Sequence, residues 1–190
     1  MTNHRQAGFT LVELIVAVGL FAFVMMLVSS AYFIVIGVDN ESQGIATGVD
    51  SLSFALEAMS RNIRTGTTYN CGLSGGDCPF GDTSFSFNNS DGQTVVYGYS
   101  ANSSVCGTSG STLGNGCITQ TIGTATTVLT DPAVDITSLK FIVLGTAKTP
   151  TDYTQPHVTI LVAGTISSGS GGKTESFSLE TGATMRGTDI

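Results

Sequence analysis

Hydrophobic side chains are spread unevenly along this chain. From Phe9 to Val38, 24 of 30 residues are hydrophobic and one, Glu13, is charged. The 25 residues from Leu14 to Val38 carry no charge at all. A membrane-spanning helix needs about 20 apolar residues, so this run predicts a span. A buried core helix is one competing reading, but core helices seldom stay apolar on every face over this length. A secretory signal peptide is another. Its apolar region is typically about 7–15 residues and ends at a small-residue cleavage site. This run is longer and continues into Gly37-Val38-Asp39-Asn40-Glu41 with no such site. It is therefore expected to stay in the mature protein. Arg5, with His4, precedes the run, while Asp39, Glu41 and Asp50 follow it. The positive-inside rule then puts the N-terminus in the cytoplasm and the remainder outside.

Beyond Val38 the pattern becomes amphipathic. Ile45, Val49, Leu52, Leu56, Met59 and Ile63 fall at gaps of 4, 3, 4, 3 and 4, which is one helical face. Arg61 and Arg64 sit where they complement the dipole at a helix C-terminus, and Gly66 is a stop signal. Glu57 and Arg61, four apart, are placed to pair. The heptad pattern is too short for a free-standing coiled coil. The stripe is therefore expected to pack on the chain's own sheet. Gly37, Gly44 and Gly48 are weak helix formers near the membrane exit and predict a bend or a loosened segment. One helix from about residue 10 to residue 64 would be roughly 80 Å long at 1.5 Å per residue.

From Thr67 onward the texture is Gly, Ser, Thr and Asn with short β-type runs. Strands are predicted at Thr83–Asn88, Gln93–Ser100, Thr126–Leu129, Ile136–Leu144, His157–Ile166 and Glu175–Thr184. Asn88-Asn89-Ser90-Asp91-Gly92 is a strong hairpin signal between the first two. In the fourth, Phe141 and Val143 alternate with Ile142 and Leu144, which predicts cover on both faces. Pro150 and Pro156 bound a loop before His157, and Ser167–Gly172 reads as a flexible hairpin tip. The fold class expected is α+β: a long N-terminal helix packed against an antiparallel meander.

Composition and charge narrow the function. The charged fraction is 11%, less than half the ~25% of an average soluble domain. Net charge is −7, which argues against a strong basic field for nucleic acid, and none is expected as a partner. Disordered chains are charged and poor in apolar residues, unlike this one. Outside the apolar run only about one third of residues are hydrophobic, so the outer part is expected to have a modest core.

Cys71, Cys78, Cys106 and Cys117 all lie in this outer part, and four cysteines allow three pairings. Cys71–Cys78 and Cys106–Cys117 close short, turn-rich loops. The expected topology puts them in an oxidising compartment, so these two disulfides are predicted. A zinc site is the rival reading; spacings of six and ten intervening residues, with no nearby histidine, do not resemble common zinc motifs.

Glu13 is the anomaly in the apolar run. A carboxylate there is costly, by roughly 2–3 kcal/mol on insertion scales at the bilayer centre and less near the interface. It is either a snorkelling interfacial charge or a carboxylate awaiting a partner. Ala7-Gly8-Phe9-Thr10-Leu11-Val12-Glu13-Leu14, with the run behind it, resembles the N-terminal signature of type IV pilins and type II secretion pseudopilins. The resemblance covers about the first 30 residues. It implies that a membrane aspartyl peptidase, the prepilin peptidase, cuts between Gly8 and Phe9. It also implies that the enzyme N-methylates Phe9, and that Glu13 pairs with a neighbouring subunit's terminal amine during filament assembly. Many major pilins have a proline partway along the helix. Here Ser30 holds roughly that place and the first proline is Pro79, which favours a minor pilin or pseudopilin. The closing stretch from His157 through Phe177-Ser178-Leu179-Glu180-Thr181 to Arg186 is similar to the ends of J-type pseudopilins and W-type minor pilins.

The organisation expected is a leader at 1–8, a transmembrane and assembly helix at 9–38, an amphipathic extension at 39–66 and an extracytoplasmic β-rich head at 67–190. Partners implied are other pilin subunits, the peptidase and the cytoplasmic membrane. The competing readings are a major pilin, or a tip adhesin or DNA-uptake module on the same scaffold. No enzyme site is legible: His157 is the only histidine outside the leader, and no nucleophile elbow, phosphate loop or dinucleotide fingerprint occurs. No cofactor is expected. Asp77, Asp82 and Asp91 are candidates for calcium, but turn aspartates are usually turn-makers and these match no EF-hand loop. Asn88-Asn89-Ser90 and Asn102-Ser103-Ser104 match the glycosylation pattern, read as chance in a bacterial protein.

Overall fold

The computed structural model describes residue 8 and residues 10–72, 75–102, 104–107, 116–147, 154–167 and 174–186. Helix α1 spans Leu11–Thr65 and is continuous through Gly37, Gly44 and Gly48. The chain divides into two compact units, Met1–Asn40 and Glu41–Ile190.

In the first unit every described residue from Leu11 to Asn40 is exposed. Its two serines do not leave their hydroxyls open. Ser29 Oγ donates to the Met25 carbonyl at 2.8 Å and Ser30 Oγ to the Leu27 carbonyl at 2.8 Å. A serine bonded back to its own helix adds little polarity to an apolar surface. The helix is long and apolar enough to cross a membrane.

In the second unit the helix buries one face: Gly48, Leu52, Ala55, Leu56, Met59 and Ile63. The stripe therefore differs from the predicted one at its outset. Ile45 is half-buried and Val49 is 44% exposed. Gly48 takes the core position, because a Cβ there would run into Ile166. That glycine serves close packing, and the predicted loosening is not found. Burying the large apolar side chains contributes about 1.5–3 kcal/mol each.

The outer strands are β1 (Thr67–Cys71), β2 (Cys78–Asp82), β3 (Ser84–Asn88), β4 (Thr94–Ser100), β5 (Cys117–Ile122), β6 (Ala125–Val128), β7 (Val134–Leu144), β8 (His157–Ser167) and β9 (Thr174–Thr184). They form two sheets, not one meander: β1-β3-β4-β5-β6 and β2-β7-β8-β9, all antiparallel. β1, β2 and β5 were not predicted. The β3–β4 hairpin forms at the expected turn. Asn89 Oδ1 accepts the backbone N–H groups of Asp91 at 3.0 Å and Gln93 at 2.8 Å, and Gly92 has φ of 75°. β7 is covered on one face only: Phe141 and Val143 are buried, while Leu144 is 45% exposed. The predicted tip at Ser167–Gly172 lies, beyond Ser167, outside the described residues.

Both sheets and the helix share one core. Phe85 on β3 stacks on Phe87 of the same strand and on Phe141 of the other sheet, each at 5.7 Å between centroids. Tyr69 meets Phe85 edge-on at 5.3 Å. Such aromatic pairs add about 0.5–1.5 kcal/mol beyond their area burial. The disulfide Cys71–Cys78 joins β1 of the first sheet to β2 of the second, with Cα atoms 5.9 Å apart. The second disulfide is Cys106–Cys117, Cα atoms 5.6 Å apart.

The candidate assembly site and the head groove

Thr10 immediately precedes α1 and caps it. Its Oγ1 accepts the Glu13 backbone N–H at 3.3 Å, and its carbonyl accepts the Leu14 N–H at 3.2 Å. Thr10-Leu11-Val12-Glu13 has the spacing of a capping box, in which a hydroxyl satisfies the backbone N–H three residues on. That pattern was legible in the sequence, and Thr10 was missed as a site residue. Glu13 is exposed in the first turn, where the helix dipole favours a negative charge. Gly8 is exposed, with open space where a Cβ would stand. Phe9 and the leader residues before Gly8 lie outside the described residues. The cap thus sets a carboxylate at the head of an apolar stretch of helix, Leu11–Asn40, whose described residues are all exposed. Such a surface needs lipid or a protein neighbour around it.

In the second unit, the end of α1 is sealed by groups from outside the helix, one near in sequence and one distant. Tyr69 Oη donates to the Ile63 carbonyl, and the Arg186 N–H donates to the Arg64 carbonyl at 2.9 Å. Burial raises the Tyr69 phenol above its ordinary range. Tyr97 is raised for the same reason, opposed by a hydrogen bond from Asn62 Nδ2 at 3.1 Å. Two of the predicted turn aspartates accept hydrogen bonds, Asp77 across to a distant loop and Asp82 within its own turn. Asp77 accepts from the Gly145 N–H, the Thr146 N–H and the Thr146 hydroxyl at 2.7–3.1 Å. Asp82 Oδ1 accepts the Ser84 N–H at 3.2 Å. Among the described residues no three of His, Cys, Asp and Glu are grouped to hold a metal. His157 lies within hydrogen-bond distance of Thr184 and Thr159 on the sheet surface. A groove beside the helix end brings Arg61, Arg64 and Arg186 together, a grouping that sequence reasoning could not find across more than a hundred residues.

No curated protein and no solved structure matches the chain. The family model described as the prokaryotic N-terminal methylation motif matches residues 3–29. That span takes in Gly8, the Thr10 cap, Glu13 and the first half of the apolar helix. The chain carries at its N-terminus the signature of type IV pilins and pseudopilins, whose motif indicates a structural subunit.

Proposed function

We propose that this chain is a structural subunit of a type IV pilus-like or pseudopilus filament, and a minor pilin or pseudopilin rather than the major subunit. The observation that carries the reading is a methylation motif over residues 3–29 that runs into an apolar stretch of helix, Leu11–Asn40, in which no described residue is buried. Prepilin peptidase cuts between Gly8 and Phe9 and methylates Phe9. Before assembly the helix spans the cytoplasmic membrane with its N-terminus inside; afterwards the head stands on the filament. The proposed parts are a leader at 1–8, the assembly helix at 9–38, its amphipathic extension at 39–66 and the head at 67–190.

Glu13 pairs with the terminal amine of a neighbour. Each charge alone is costly in hydrocarbon. Together they offset one another and set axial register, although the net stabilisation of a buried pair is small. Ser30 in place of a proline keeps the helix hydrogen-bonded through this region, which favours the minor or pseudopilin subclass.

Mass spectrometry of purified filaments tests the reading. The expected chain begins at N-methylated Phe9; an intact Met1 in assembled material overturns the processing step. Subunit stoichiometry tests the subclass: a chain forming most of the filament mass is a major subunit. Glu13→Ala should leave insertion and cleavage intact and lower incorporation at least tenfold; normal incorporation removes the pairing role.

A further inference from the structure

The groove in the second unit holds about 1070 Å³ between the last turns of α1 and strand β9. Leu56 and Met185 are its buried apolar members, and Arg61, Arg64 and Arg186 line it. These are three of the seven Lys and Arg residues in a chain of net charge −7. Glu57 and Glu180 also line it, so the groove carries 3 − 2 = +1. Among the described residues no side chain pairs with any of the three guanidinium groups.

One further feature points to an occupant. Among the described residues β9 is last in its sheet, and the backbone groups along one edge pair with no described strand. Residues Leu179 to Gly182 of that strand line the groove.

We infer that this groove receives an extended, acidic segment of a neighbouring filament subunit, added as a strand to the free edge of β9 with its carboxylates on Arg61, Arg64 and Arg186. The inference rests on the filament reading above. Main-chain hydrogen bonds to an open edge supply affinity in such strand addition, and side chains supply selectivity. Guanidinium groups grip carboxylates through two parallel hydrogen bonds, which makes arginine the suitable cation here. The charge balance supports the choice of occupant. An acidic segment is repelled by a chain with twice as many acids as bases, and this groove is a locally cationic exception.

The test uses the full chain in isolated filaments. A photo-crosslinking phenylalanine analogue substituted for Leu179 should join to another subunit, at a segment holding two or more carboxylates. The pair Arg61→Glu and Arg64→Glu should lower recovery of the chain with its partners at least tenfold, with cleavage at Phe9 unchanged. Lys140→Glu, on β7 away from the groove, should leave recovery unchanged. The milder pair Arg61→Gln and Arg64→Gln guards against misfolding and should lower recovery several-fold. If the chain is in filaments but position 179 joins only lipid, a segment without carboxylates, or nothing, the inference fails alone. If the unsubstituted chain is absent from filaments, the filament reading fails and this inference with it.

Discussion

The two ends of α1 obey the same backbone geometry under opposite solvents. From Leu11 to Asn40 no described residue is buried, and apolar side chains face every direction. From Glu41 to Thr65 the apolar residues narrow to a stripe, and six of its positions close on two sheets. Among the described residues nothing covers the first stretch. The second depends on residues up to Met185. Substitutions in the two stretches should consequently be read by different assays: incorporation for the first, unfolding of the head for the second.

The largest contrast is expected from large-to-small changes. Phe85→Ala, at the junction of the sheets, should destabilise the head by about 3–5 kcal/mol in denaturant melts. Phe21→Ala, 61% exposed in the first stretch, should shift the same melt by less than about 0.5 kcal/mol. An equal shift would mean that the first stretch is packed on the head.

Next comes the link between the sheets. Cys71→Ser with Cys78→Ser opens a loop of sequence separation 7. By the chain-entropy relation this should cost about 2–3 kcal/mol. Dithiothreitol should lower the melting temperature of the parent chain more than that of the variant, because the variant has already lost one of two bonds.

Tyr69 gives a pH-dependent comparison. Its phenol is raised in the folded state by burial, so the folded chain holds its proton at pH values where the unfolded chain has lost it. The stability this group contributes is therefore fully present below about pH 10 and declines as pH rises above it. Tyr69→Phe should flatten that decline. At neutral pH it should cost about 0.5–1.5 kcal/mol, the net worth of one hydrogen bond, since the Ile63 carbonyl keeps the Gly66 N–H at 2.9 Å.

The smallest effect contrasts two glycines of the same helix. Gly48→Ala gains about 1 kcal/mol of helix propensity but meets Ile166, an overpacking cost of about 1–3 kcal/mol. A net loss of about 1 kcal/mol is expected in the same denaturant melts. Gly37→Ala meets nothing within 4 Å and should not destabilise the head.

Much of this was legible without coordinates. The apolar run and the helical stripe announce themselves through length and a 3.6-residue period, both local properties. The β3–β4 hairpin was legible because Asn89 and Gly92 carry their own turn chemistry. Strands β1, β2 and β5 were not. Cys78–Asp82 carries Pro79 and Gly81, which argue against a strand, and it is extended because β7 pairs with it. Thr67–Cys71 and Cys117–Ile122 do hold Thr, Tyr and Ile but are short, and pairing with β3 and β4 extends them. The Thr10 cap was available in the spacing Thr-x-x-Glu and passed over because Glu13 already had a role.

By itself the sequence determined the first stretch of this protein: an apolar helix whose one charge before Asp39 is Glu13, headed by a methylation motif, needs no tertiary contact to be read. It also determined the period of the second stretch, and the possible cysteine pairings. Only the tertiary structure decided that the strands divide into two sheets, because the chain crosses between them at Cys71–Cys78. It decided that Gly48, and not Val49, faces the core, because Ile166 needs the space. It also brought Arg186 beside Arg61 and Arg64, through a backbone hydrogen bond that closes the end of α1. The physical reason is range: helix period and hydropathy are written in neighbours along the chain, whereas sheet order and a shared groove depend on residues that meet only after folding.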